Sequence, residues 1–271
     1  MKPLLLIILC AFLPTAALAV SFLPVAVTGY NYAGVVPNTA VPPYSSYASS
    51  LDLSNDALFQ AGLPSATPGG LPLSGPLTYV SGSNTYPFDL GPYGGLNLLR
   101  VNPSGTLTLS IPGSFASIAV LGFSTQNNSP GAIEMIGNMT LHFSDGSSSV
   151  YSGSVDLSDW FATNPGNPNV VTSAAGGLVN IALSAFEATS NGPHFYVSVI
   201  NLTAADAAKT VTQIGFGNFP SGGNTFQFIM AVAGSTQPPT PPAVPAPPDL
   251  WLAVLGILLV GAAYFRLRRT A

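Results

Sequence analysis

Hydrophobic and polar positions alternate most cleanly in the middle of this chain. Thr106-Leu107-Thr108-Leu109-Ser110-Ile111 has a period of two, the pattern of a strand with one face in a core and one in solvent. Asn138-Met139-Thr140-Leu141-His142-Phe143 repeats it, Asp145-Gly146 predicts a tight turn, and Ser149 to Leu157 predicts the returning strand. Ser117 to Phe123 is apolar on both parities, which predicts a central strand. Further strands are expected at Val25 to Thr28, Leu178 to Phe186, His194 to Ile200, Val211 to Phe216 and Thr225 to Val232. Leu51 to Gly62 predicts a short helical turn, and residues 20–105 otherwise give weak strand signals among Pro, Gly, Ser and Tyr. So many short strands without a long helix predict an all-β fold, a β-sandwich. No repeat period appears, which argues against a solenoid.

The two ends depart from this pattern. Lys2, the apolar run Leu4 to Leu13 and Ala17-Leu18-Ala19 predict a signal peptide over residues 1–19, cleaved after Ala19. Cys10 lies inside that run, so the mature chain is expected to hold no thiol and no disulfide. At the other end, residues 237–248 form a Pro-rich linker expected to be extended. Asp249 then caps a single apolar helix from Leu250 to Phe265, followed by Arg266, Arg268 and Arg269. Its sixteen uncharged residues fall slightly short of the ~20 that cross a bilayer, with flanking charges free to snorkel. The arginines are expected on the cytoplasmic side, leaving residues 20–236 outside.

The tail resembles the PEP-CTERM sorting signal, which joins a Val-Pro-Glu-Pro motif to a hydrophobic helix and an arginine cluster. Val244-Pro245-Ala246-Pro247 fits with one departure, Ala246 in place of glutamate. The resemblance implies an exosortase-like processing enzyme in the inner membrane of a Gram-negative bacterium. Delivery to the cell surface or extracellular matrix would follow. Between the signals, the chain resembles a jelly-roll domain of the galactose-binding type over about residues 25–232. That resemblance is carried by Tyr30-Asn31, Phe115 to Gly122, Phe143 to Ser147, Val155 to Trp160 and Asp206 to Val211.

Charge narrows the function. Residues 20–236 carry nine acidic side chains and two basic ones, Arg100 and Lys209. Two bases cannot make the phosphate contacts that nucleic-acid binding requires. Asp145 reads as a turn residue; the competing reading, a calcium ligand, needs several oxygens converging on one point. Asp156, Asp159 and Trp160 form the most suggestive group, with two carboxylates and a ring suited to stacking on sugar. Residues three apart on a strand face opposite ways, however, and Trp160 at a strand end reads first as core. His142 and His194 have no Cys or acid at metal-ligand spacing, which argues against zinc. No phosphate-binding loop or nucleophile elbow is present, and no cofactor is expected.

The expectation is therefore an exported, non-enzymatic surface or matrix protein that binds exopolysaccharide. Asn31, Asp145, Asp156, Asp159 and Trp160 are the candidate contact residues. A glycoside-active hydrolase using Asp145, Asp156, Asp159 or Glu187 is the competing reading, and a purely structural, self-associating component is the third.

Overall fold

The computed structural model describes residues 20–64, 69–73, 76–125, 135–161, 170–172, 177–188, 193–220 and 225–237. All of them belong to one compact unit, Val20–Pro239. The expected signal peptide (residues 1–19), sorting motif (244–247) and apolar tail (249–271) lie outside the described residues.

The chain is all-β, with several antiparallel sheets consistent with a β-sandwich. One sheet joins β2 (Val27–Thr28), β8 (Ser104–Gly113), β16 (Val211–Gly217), β10 (Ile136–Phe143) and β11 (Ser148–Asp156) side by side. A second runs from β1 (Leu23–Val25) through β17 (Phe226–Ser235), β9 (Ser117–Thr125) and β15 (His194–Asn201) to β12 (Val170–Thr172). β7 (Leu99–Val101) also pairs with β17. Beside a short 3-10 turn at Tyr44–Ser46, the one described α-helix, α1 (Ala204–Ala207), is a single turn capped by Thr203, whose hydroxyl accepts from Asp206 N–H.

The alternation seen in the sequence sets which faces meet. Leu107 and Leu109 of β8, Met139, Leu141 and Phe143 of β10, and Ile214 and Phe216 of β16 point inward from the first sheet. They pack on Ile118, Val120, Ile200, Ile229 and Val232 of the second. The intervening residues form an outer face: Thr108, Gln213, His142 and Ser148 stand in one cross-strand row. His142 accordingly keeps partial exposure beside neutral polar neighbours.

The second sheet is covered on its other face as well. Ala119, Leu121, Phe123 and Phe228 pack on Val35, Leu58 and Leu178, and on Tyr86 and Phe88. These partners come from a four-stranded sheet, β3 (Val35–Val36), β4 (Asp56–Phe59), β13 (Gly177–Asn180) and β14 (Ala185–Ala188). A hairpin of β5 (Leu77–Ser81) and β6 (Asn84–Phe88) completes the layer. Every residue of β9 is buried, as expected for a strand enclosed on both sides and read as an unbroken apolar run. Gly122 lies at its centre. A Cβ there would meet the Phe228 carbonyl oxygen at 2.4 Å and Leu157 Cδ2 at 2.7 Å, so only glycine fits.

Two local expectations are corrected. The segment Leu51 to Gly62 holds no helical turn; it bends and enters strand β4. The Asp52 carboxylate accepts from the N–H groups of Ser54 (2.8 Å) and Asp56 (3.1 Å), which competes with helical bonding. Asn55 then takes a positive φ of 69° and turns the chain into the sheet. Leu178 to Phe186 is two strands rather than one. Asn180 Oδ1 accepts from Ala182 and Leu183 N–H, both at 3.1 Å, and closes a hairpin within an apolar stretch.

Candidate functional site

The residues singled out from sequence are dispersed. Asp145 sits at the exposed tip between β10 and β11, where Gly146 takes a φ of 81°. Its carboxylate accepts from Ser147 N–H (2.9 Å) and Oγ (2.6 Å), and lies 3.8 Å from Lys209 Nζ. The Ser147 hydrogen bonds, with Lys209 behind them, hold its pKa below the ordinary carboxylate range. This is the hairpin turn the sequence predicts.

Asp156 and Asp159 do not share a strand: β11 ends at Asp156, and Asp159 bridges to Ser124. Asp156 accepts from Ser158 Oγ (3.1 Å), and Asp159 accepts from Phe161 N–H (2.8 Å). Between them stands Tyr196, whose hydroxyl donates to the Asp159 carbonyl (2.8 Å). Burial pushes the Tyr196 pKa up, and the charges of Asp159 and Asp156 add to the rise. Trp160 is core: it stacks on Phe123 at 5.5 Å and 9°, and its side chain is buried. Glu187 lies elsewhere, on β14.

Asn31 does structural work. Its Oδ1 accepts from Arg100 N–H (2.7 Å) and its Nδ2 donates to the Arg100 carbonyl (3.1 Å), so its amide takes the place of a neighbouring strand. Asn138 and Asn201 are likewise engaged, accepting from Gly153 N–H and Ser117 Oγ. Among the described residues, no group of three or more His, Cys, Asp or Glu is placed to hold a metal ion.

Sequence reasoning missed three features. The first is a pair of open clefts of about 400 and 380 Å³ on either side of Asp89-Leu90-Gly91-Pro92. One is walled by Val25 to Tyr30 and Leu96, the other by Gln60, Pro72, Leu73 and Tyr93. Both fall in the volume range of small-ligand sites. Asp89 is exposed and has no hydrogen bond or ion pair with any described residue. Burial raises Tyr30 and Tyr93 to about 12, so both hydroxyls stay neutral. The Tyr30 hydroxyl is committed to the Met230 carbonyl (2.8 Å), and Gln60 is held by Asn38 N–H and the Leu73 carbonyl. The visible signal was an acid and an aromatic flanking a Gly-Pro loop.

The second feature is a carboxylate cluster at the rim of the third layer. Asp56 on β4 is buried beside Asp52 and Glu187, and its Oδ1 has no hydrogen-bond partner. Burial, reinforced by the charges of Asp52 and Glu187, raises the Asp56 pKa to about 7. The third is the stacking of the Arg100 guanidinium over the rings of Phe226 (4.1 Å) and Tyr32 (5.4 Å). Both depend on pairing between distant strands, which no local pattern reveals.

No family model, curated protein or solved structure matches the chain, so fold and sites stand on residues and geometry alone.

Proposed function

We propose that this chain is an exported, non-enzymatic surface or extracellular-matrix protein whose jelly-roll domain binds an exopolysaccharide. A PEP-CTERM-like tail, Val244 to Arg269, would route it through an exosortase-like enzyme in the inner membrane to the cell surface or matrix. The observation that carries the binding reading is the pair of clefts meeting at Asp89. A lone carboxylate accepts from two neighbouring hydroxyls, and the apolar faces of Pro92, Tyr93 and Leu96 suit the C–H face of a sugar ring. Walls with one charge and many neutral groups favour a largely uncharged glycan. The galactose-binding type of jelly roll is the family reading that fits the sandwich, and it enters here from the sequence motifs alone.

The test is a polysaccharide panel probed with the mature chain, residues 20–236, and with Asp89→Asn. Binding to a defined glycan that weakens about 10-fold in the variant supports the reading, since a hydrogen bond to a charged group is worth roughly 1.5–3 kcal/mol. Uniform failure to bind, with an unchanged melting temperature, overturns it. Mass spectrometry of the exported protein checks the sorting half: new termini at Val20 and upstream of Leu250 are expected.

A further inference from the structure

The cleft walled by Val25 to Tyr30, Asp89 to Pro92 and Leu96 is built from fixed parts. The Tyr30 hydroxyl is anchored on the Met230 carbonyl (2.8 Å), and the 89–92 loop rests on the Tyr30 ring. A Cβ on Gly91 would come within 3.1 Å of both Tyr30 Cε2 and Asn97 Cα, so loop and ring meet closely. Leu96 is set in place by Asn97, whose side chain accepts from Gly34 N–H (2.9 Å) and donates to the Gly95 carbonyl (2.9 Å). The side chains of the wall are unequal in kind. Asp89 supplies the one charge, the Tyr30 hydroxyl is committed, and Thr28 Oγ1 turns to the Thr108 carbonyl (3.5 Å). Every other side chain lining the cleft is aliphatic: Val25, Ala26, Val27, Leu90, Pro92 and Leu96. Ala26, Pro92 and Leu96 are exposed, Leu96 by 55 %. Much of the wall strand's main chain is already paired, Val25 with Val232, and Val27 and Thr28 with Leu109 and Thr108. The Ala26 carbonyl accepts from Ser110 N–H (2.8 Å).

We propose that this cleft takes a 6-deoxyhexose unit of the glycan, with a vicinal diol on Asp89 and the C5 methyl group against the aliphatic wall. This rests on the glycan reading and narrows its ligand to a class of sugar. A carboxylate accepts from two neighbouring hydroxyls at once, one on each oxygen. When those hydroxyls are on C2 and C3, the ring puts the C5 substituent at its opposite edge, away from Asp89. An ordinary hexose carries a hydroxymethyl group there, whose hydroxyl would lose water against Leu96 and the valines and meet no side-chain partner. A methyl group at that position instead takes its own apolar surface, and that of the wall, out of water. No basic side chain lines the cleft, so the chemistry it offers suits an uncharged unit.

The test titrates methyl glycosides in matched pairs that differ only in the 6-hydroxyl: L-rhamnose with L-mannose, L-fucose with L-galactose, and 6-deoxy-D-glucose with D-glucose. Ligand-observed NMR on the mature chain gives each affinity. In at least one pair the wild-type protein is expected to bind the deoxy sugar about 4-fold or more tightly, the worth of one methyl-sized group taken out of water. Leu96→Ser puts a hydroxyl on the wall at an exposed position outside the buried core and is expected to erase that preference. Ala26→Ser makes the same change on the wall strand, also at an exposed position, and serves if the first variant unfolds. Asp89→Asn should weaken both members of the preferred pair alike, because the diol is common to them. Equal binding within every pair, a preference for the parent sugars, or a preference that survives both serine variants overturns the assignment. Equal binding that depends on Asp89, or failure of these sugars while a polysaccharide of the panel binds, refutes the deoxy sugar and leaves the glycan reading standing. Failure of the sugars and of the whole panel removes both.

Discussion

Replacing Asp56 by asparagine should make the domain more stable at pH 8 and remove much of its pH dependence between pH 5 and 8. Asp56 is 7 % exposed on β4, beside Asp52 and Glu187 and opposite Asn180 of β13. Burial and those two carboxylates raise its pKa to about 7, against an ordinary value of ~3.9. The folded protein therefore binds a proton that the unfolded chain releases above pH ~4. The stabilisation is complete below that value and declines by ~1.4 kcal/mol per pH unit as pH rises through the folded pKa. Across the whole interval this amounts to at most about 4 kcal/mol. Asparagine mimics the protonated acid and keeps a donor for Asp52 or Glu187, so it retains the low-pH state at every pH. Urea titrations of both proteins at pH 5, 6, 7 and 8 supply the comparison. The stability difference should grow with pH and level off above about 7. A constant difference, or an asparagine variant less stable at pH 8, would refute the reasoning.

Trp160→Ala should destabilise by roughly 3–5 kcal/mol, because it empties a core position stacked on Phe123; chemical denaturation reads this directly. Gly122→Ala should cost about 1–3 kcal/mol or more, since the new methyl meets a backbone carbonyl that β9 and β17 hold in place. Asp206 should stabilise the fold at neutral pH and stop doing so in acid. Burial opposes its ionisation, but hydrogen bonds from Tyr151, Ser149 and Thr203 outweigh that and hold its pKa low. Its contribution is present above pH ~4 and fades as pH falls, so Asp206→Asn should flatten the acid limb of a melting-temperature profile.

The sandwich was legible because its strands are long and carry strict alternation. Thr106 to Ile111 and Asn138 to Phe143 lie within β8 and β10. The covering layer was not legible. β3 and β4 are two and four residues long, and their pattern is too short for a period to emerge. The apolar continuity of Ser117 to Phe123 did hint at it, since a strand wet on one face would have alternated. Asp145 and Trp160 were readable as turn and core from local chemistry. Asp89 was passed over because its significance lies in a cleft built from segments far apart in sequence. Arg100 and Asp56 are set by strand pairings of the same non-local kind.

One pairing governs when this domain can exist. β1, at the start of the described residues, pairs with β17, the last described strand, with Leu23 opposite Gly234. β17 also lies between β1 and β9, so the six-stranded sheet cannot assemble until the chain is nearly finished. A polypeptide emerging from its N-terminus holds Leu23–Val25 idle through some two hundred residues of synthesis or translocation, a topology that folds late and slowly. If the chain is exported as proposed, threaded unfolded through a membrane, that delay is useful: its own connectivity postpones closure until residue 235 is through.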